Sequence, residues 1–249
     1  VRRIKATLSS LSNYIENICD DEYPDFRNII HKVESPINQP TREKTVWSDE
    51  ELQALLDKLT ELHQYKKACA LALAMYSGRR KSELPRFRVD DFKEENLVCD
   101  GALYKTSAPI QTKGRGLGKF IYCYTLAKKF KPYLDAWLVE RQRLGIESQW
   151  LLPDASNPDE QMQLSTLDSW AITFSRLTGR DVYWHSFRHA YVTSLVRAGI
   201  PDSVITQIVG WEDSAMCKIY TDIDAEDQIA MYFKDGEICA GNTKSITDL

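Results

Sequence analysis

No apolar run in these 249 residues approaches the roughly 18 needed to cross a bilayer as a helix. The opening VRRIKATLSS also lacks the apolar segment of a secretory signal. Paired cysteines are missing too. Cys19, Cys69, Cys99, Cys123, Cys217 and Cys239 are scattered, none forms a C-x-x-C, and the four histidines supply no zinc-type spacing. That pattern predicts reduced cysteines, a cytoplasmic setting and no metal. There is no G-x-x-x-x-G-K-[ST] run to cradle a nucleotide's phosphates, so no cofactor is expected. Internal repeats and low-complexity tracts are absent as well.

An overall excess of positive charge is also lacking. The formal net charge is −4, which argues against a coat protein for nucleic acid. The distribution is uneven, however. From Lys105 to Lys131 there is no acidic residue, while Lys105, Lys113, Arg115, Lys119, Lys128, Lys129 and Lys131 are basic. After Tyr220 the sign reverses, with Asp222, Asp224, Glu226, Asp227, Asp235 and Glu237. The basic stripe is either a local anion site or a solvated face.

What is present is mostly helical periodicity. Ile4, Leu8, Leu11, Ile15 and Ile18 mark an amphipathic helix over 3–19, so the chain opens in mid-helix and reads as part of a longer protein. The proline-containing KVESPINQPTREKTVW reads as a linker. Ser48 and Glu51 form a capping-box signature ahead of a second helix, and the apolar YKKACALALAMYSG predicts a buried third one stopped by Gly78. Between Leu97 and Leu126 the pattern turns β-prone around KGRGLG, predicting three short antiparallel strands. Helical patterns then continue to the end, including AEDQIAMYFKDG. The expectation is a mainly α fold with a small antiparallel three-stranded sheet.

Four motifs stand out: SGRRKSELPRFRVDDF (77–92) with Arg80 and Glu83, Lys113 in the basic hairpin, YWHSFRHAYVTSLVRAGI (183–200) with His185 and Arg188, and VGWEDSAMCKIYTDI with Trp211 and, nine residues on, Tyr220. The order G-x-R-x-x-E-L, hairpin lysine, H-x-x-R-H, G-W, tyrosine resembles the catalytic domain of the tyrosine recombinase (phage integrase) family over about residues 44–235. The resemblance implies a DNA breaking-and-rejoining fold. Residues 1–43 would be the end of a core-binding domain plus a linker, and residues 44–249 the catalytic domain. It also implies a site-specific, bacterial or phage-encoded DNA recombinase without metal or cofactor. Its partners would be double-stranded attachment sites, on which copies of the chain assemble as a tetramer.

The residue chemistry suits that role. A phenol has a pKa near 10, so about one molecule in a thousand is ionised at neutral pH, and a tyrosine nucleophile needs a proton acceptor. His185 suits that task. Arg80 and Arg188 carry permanent charge in a planar fork that matches phosphate. Trp211 stands where most of the family has histidine; it can donate an indole N–H and pack the site. Glu83 would orient these groups from behind. Lys113 would protonate the departing 5′ oxygen, with Lys105 its rival, and Lys105, Arg115 and Lys119 would contact DNA. Two alternatives remain: a helix-turn-helix regulator, poorly served by Trp211, Glu212, Asp213, Ser214 and Ala215, and a type IB topoisomerase.

Overall fold

The computed structural model describes residues 2–34, 47–112 and 119–211, and the backbone of 233–234 and 237–238. The chain divides into two compact units, 1–44 and 45–249. In the first, helix α1 (Arg2–Ile18) is followed by a loop that folds back on it. Asn28, 4% exposed, donates to the Asn13 side-chain oxygen at 2.6 Å and accepts from the backbone N–H of Ile30 at 2.9 Å.

The second unit is built on α3 (Tyr65–Ser77). Its middle, Ala68 to Met75, is apolar without interruption and buried throughout, as a helix surrounded by others must be. α2 (Asp49–Glu61), α4 (Ala127–Arg143) and α6 (Trp184–Arg197) pack against it. α2 begins with the expected capping box: Ser48 accepts from the Glu51 N–H at 3.2 Å, and Glu51 accepts from the Ser48 N–H at 3.0 Å. Leu52, Leu55, Leu56 and Leu59 form its buried stripe. α5 (Leu164–Thr178) and α7 (Asp202–Val209) complete the helical set. Among the described residues no helix is long and apolar enough to cross a membrane.

A three-stranded antiparallel sheet is present, with β2 (Leu103–Lys105) between β1 (Leu97–Val98) and β5 (Tyr124–Leu126). The sequence pattern did not anticipate a second pair. β3 (Ile110–Thr112) and β4 (Lys119–Ile121) form their own hairpin, in register Ile110↔Ile121 to Thr112↔Lys119. The expected helix over AEDQIAMYFKDG also needs correction at its end. β6 (Phe233–Lys234) pairs antiparallel with β7 (Glu237–Ile238), so Phe233 and Lys234 are strand and not helix.

Two helix ends are fixed by glycine. Gly78 closes α3 at φ +60°, and a Cβ there would lie 2.2 Å from Cδ1 of Tyr191 on α6. Gly210 closes α7 at φ +74°, where a Cβ would lie 2.4 Å from Cδ1 of Ile121. Left-handed backbone disfavours a side chain at both positions, and at Gly78 the Tyr191 ring also leaves no room for one.

Candidate active site

The chain leaving Gly78 turns through two adjacent arginines with opposite fates. Arg80 is partly open, with 31% of its side chain exposed. Its Nη1 donates to Oε1 of Glu83 at 3.1 Å and to Oγ1 of Thr112 at 3.0 Å. Among the described residues, no acceptor lies against its Nε or Nη2. Those donors stay available to a ligand. Glu83 is buried and also accepts from the Arg80 backbone N–H at 3.1 Å and from the Thr112 hydroxyl. Burial alone would raise its pKa. The Arg79 guanidinium, the Thr112 and Arg80 hydrogen bonds and the Arg80 charge outweigh that, holding it below the usual carboxylate range.

Arg79 is wholly buried. Its Nε donates to the Ser77 carbonyl at 3.1 Å, Nη1 approaches Sγ of Cys123 at 3.5 Å, and Nη2 donates to the Ile208 carbonyl. Burial pushes the Cys123 thiol up.

Arg188 is likewise buried, on the same row of α6 as Trp184, Phe187, Tyr191, Val192 and Leu195. It donates to the Gly78 carbonyl at 2.7 Å and to the Val209 carbonyl at 3.3 Å, and its Cζ lies 5.5 Å from the Trp211 ring centroid. A guanidinium in this row binds helix-end carbonyls that have no intrahelical donor, at the negative end of two helix dipoles. Trp211 is 6% exposed and packs with Tyr191, Leu195, Ile205 and Val209. Its ring therefore covers Arg188 from one side.

His185 sits one turn before Arg188, at the surface. Its ring meets that of His189 edge-on at 4.8 Å. Burial of its inner side, then the charges of Arg188 and Arg80, lower its pKa, so the imidazole is predominantly neutral at pH 7. A neutral imidazole flanked by two guanidiniums can take up a proton, and an anion bound by the arginines would steady the imidazolium so formed.

The structure thus brings together Arg80, Glu83, His185, Arg188 and Trp211. Lys105 ends β2, with Nζ 4.2 Å from the ring centroid of Tyr122. Lys119 opens β4 opposite Thr112. Lys113, Arg115 and Tyr220 lie outside the described residues. Two site residues escaped the sequence reading. Thr112 carried no signal beyond standing before Lys113. Arg79 looked like one cation in a basic run, although its place in the turn from α3 is buried.

The chain is 29% identical over 200 residues to the SPbeta prophage-derived recombinase-like protein YomM of Bacillus subtilis (strain 168), covering 77% of this chain and 57% of that protein. It is 21% identical over 184 residues to a tyrosine recombinase of Thermosipho africanus (strain TCF52B), covering 73% of this chain and 58% of that one. The chain thus spans little more than half the length of these curated relatives. In fold it is similar to the Tn1549 transposon integrase in complex with a circular intermediate DNA, with TM-score 0.64, 13% identity, and coverage of 92% of this chain and 77% of that one. It is also similar to the XerH site-specific recombinase bound to its palindromic difH substrate, with TM-score 0.61, 18% identity, and coverage of 81% and 56%. The family model described as the phage integrase family matches residues 46–227, and the chain belongs to that family, the tyrosine recombinases.

Proposed function

We propose that this protein cuts and rejoins DNA at specific sites through a 3′-phosphotyrosyl intermediate, with Tyr220 as nucleophile. The observation that carries the reading is that Arg188, one turn after His185 on α6, donates to the carbonyl of Gly78, two residues before Arg80, so that chain segments about a hundred residues apart meet there. A phosphate bound there would meet two permanent cations and one neutral base.

In the cleavage step the Tyr220 hydroxyl oxygen attacks phosphorus, and its proton passes to His185. The bond from phosphorus to the 5′ oxygen breaks, and Lys113 gives that oxygen a proton. Arg80 and Arg188 offset the charge building on the non-bridging oxygens, each on the scale of about 3 kcal/mol of transition-state stabilisation. Trp211 packs Arg188 in place and offers an indole N–H. Rejoining reverses these transfers with another strand's 5′ hydroxyl. The phosphodiester's energy is kept in the tyrosyl ester, so the exchange needs no nucleotide. Lys113 is favoured over Lys105 because it directly follows Thr112, which touches Arg80, whereas Lys105 is stacked on Tyr122.

In this reading residues 1–43 belong to the core-binding side of a DNA clamp and its linker, and residues 44–249 form the catalytic domain. Lys105, Arg115 and Lys119 meet the DNA backbone, several copies act together as a tetramer on paired attachment sites, and the setting is the cytoplasm of a bacterial host. A regulator without chemistry would have no use for a neutral histidine between two guanidiniums. The test is incubation with nicked duplex carrying a candidate attachment site: a covalent complex that survives denaturant is expected from the wild type and lost in Tyr220→Phe, which still binds the DNA. An undiminished complex in that variant would move the nucleophile elsewhere.

A further inference from the structure

The Thr112 hydroxyl stands between two groups whose polarity leaves it one orientation. A guanidinium can only donate and a carboxylate can only accept. The hydroxyl must therefore accept from Nη1 of Arg80 and donate to Oε1 of Glu83. Thr112 is 5% exposed, so water competes little for either bond. It is also the last described residue of β3, opposite Lys119 in the hairpin ladder. The hairpin end is thus bonded both to Arg80 and to Glu83, the carboxylate that orients Arg80.

We propose that Thr112 is a positioning residue that registers the β3–β4 hairpin, and the proton donor that hairpin carries, against Arg80. This rests on the strand-cleavage reading above. Phosphate binding and leaving-group protonation would then be set by one buried hydroxyl. A valine at 112 keeps the shape and β-branching but removes both hydrogen bonds, and it leaves the direct contact between Arg80 and Glu83 intact.

The experiment is single-turnover cleavage by the wild type, Thr112→Val and Thr112→Ser on two nicked duplexes. One has the normal 5′ oxygen at the scissile bond. The other has sulfur in its place, which departs as a thiolate and needs no proton. On the oxygen substrate Thr112→Val is expected to be slower by roughly 10-fold to 100-fold, less than the roughly 100-fold to 10,000-fold that a general acid contributes, because the acid is displaced and not removed. Thr112→Ser, which keeps the hydroxyl, should stay within about 3-fold of wild type. On the sulfur substrate the valine variant should recover to near the wild-type rate. An equal defect on both substrates would overturn the proposal, since the hydroxyl would then serve the fold or Arg80 alone. So would an unimpaired valine variant. Failure of the underlying reading looks different: the wild type itself would form no adduct with either duplex.

Discussion

Arg79 and Arg188 donate to consecutive carbonyls, Ile208 and Val209, at the C-terminal end of α7. One comes from the turn after α3 and the other from the buried row of α6, and both also bind the end of α3, at Ser77 and Gly78. Two buried cations thereby join two helix ends directly before Trp211. The segment that follows in sequence carries Tyr220, the proposed nucleophile.

Arg79 should therefore be costly to remove even though it faces no ligand. Arg79→Ala leaves the Ser77 and Ile208 carbonyls without their donor, at about 1–3 kcal/mol for each buried group. Arg79→Lys keeps a charge but cannot reach three directions at once, so an intermediate loss is expected. Denaturant midpoints would check the order wild type, lysine, alanine. Equal midpoints for all three would show that α7 is held by apolar packing alone.

The two capping glycines should differ in cost. Alanine at either position must adopt the left-handed conformation, which costs about 1–2 kcal/mol. At Gly210 the methyl meets the far end of Ile121, which can turn aside. At Gly78 it meets the rigid ring of Tyr191, itself 4% exposed. Thermal unfolding should rank Gly78→Ala below Gly210→Ala, and the reverse order would contradict this packing.

His185 should titrate below 6.5. Removing a neighbouring positive charge eases protonation, so Arg80→Gln should raise its pKa toward the ordinary value. Proton NMR of the imidazole across pH 4–8, a range chosen around the reference of about 6.5, reads this directly. An unchanged titration in the variant would mean that Arg80 does not act on the ring.

Glu83 makes a complementary prediction about acid stability. Its folded pKa is depressed, so its stabilisation is complete above the unfolded value of about 4.3 and is lost as pH falls through the folded value. Glu83→Gln should be less stable than wild type at neutral pH. The gap should narrow as the wild-type carboxyl becomes protonated. A gap of constant size across that window would assign the loss to shape rather than charge.

The helical framework was legible where its causes are local. Ser48 and Glu51 announce a cap within four residues, Gly78 announces a stop, and the unbroken apolar run of α3 announces burial on every side. The β3–β4 hairpin was not legible as a separate pair. Strands of three residues carry little periodicity, and their register depends on partners in space. The candidate site divides in the same way. Arg80, His185, Arg188 and Trp211 could be named because their residue types and order are distinctive. Arg79 could not be distinguished from a solvated cation, since its burial follows from how α3, α7 and Cys123 meet.

The central claim is tested most directly by identifying the bond formed with DNA. After reaction with a nicked attachment-site duplex, the protein is digested and the DNA-linked peptide sequenced by mass spectrometry. A single peptide modified at Tyr220 is expected, joined to a 3′ phosphate, with a free 5′ hydroxyl on the released strand. Attachment through a 5′ phosphate, or at any residue other than Tyr220, would contradict it.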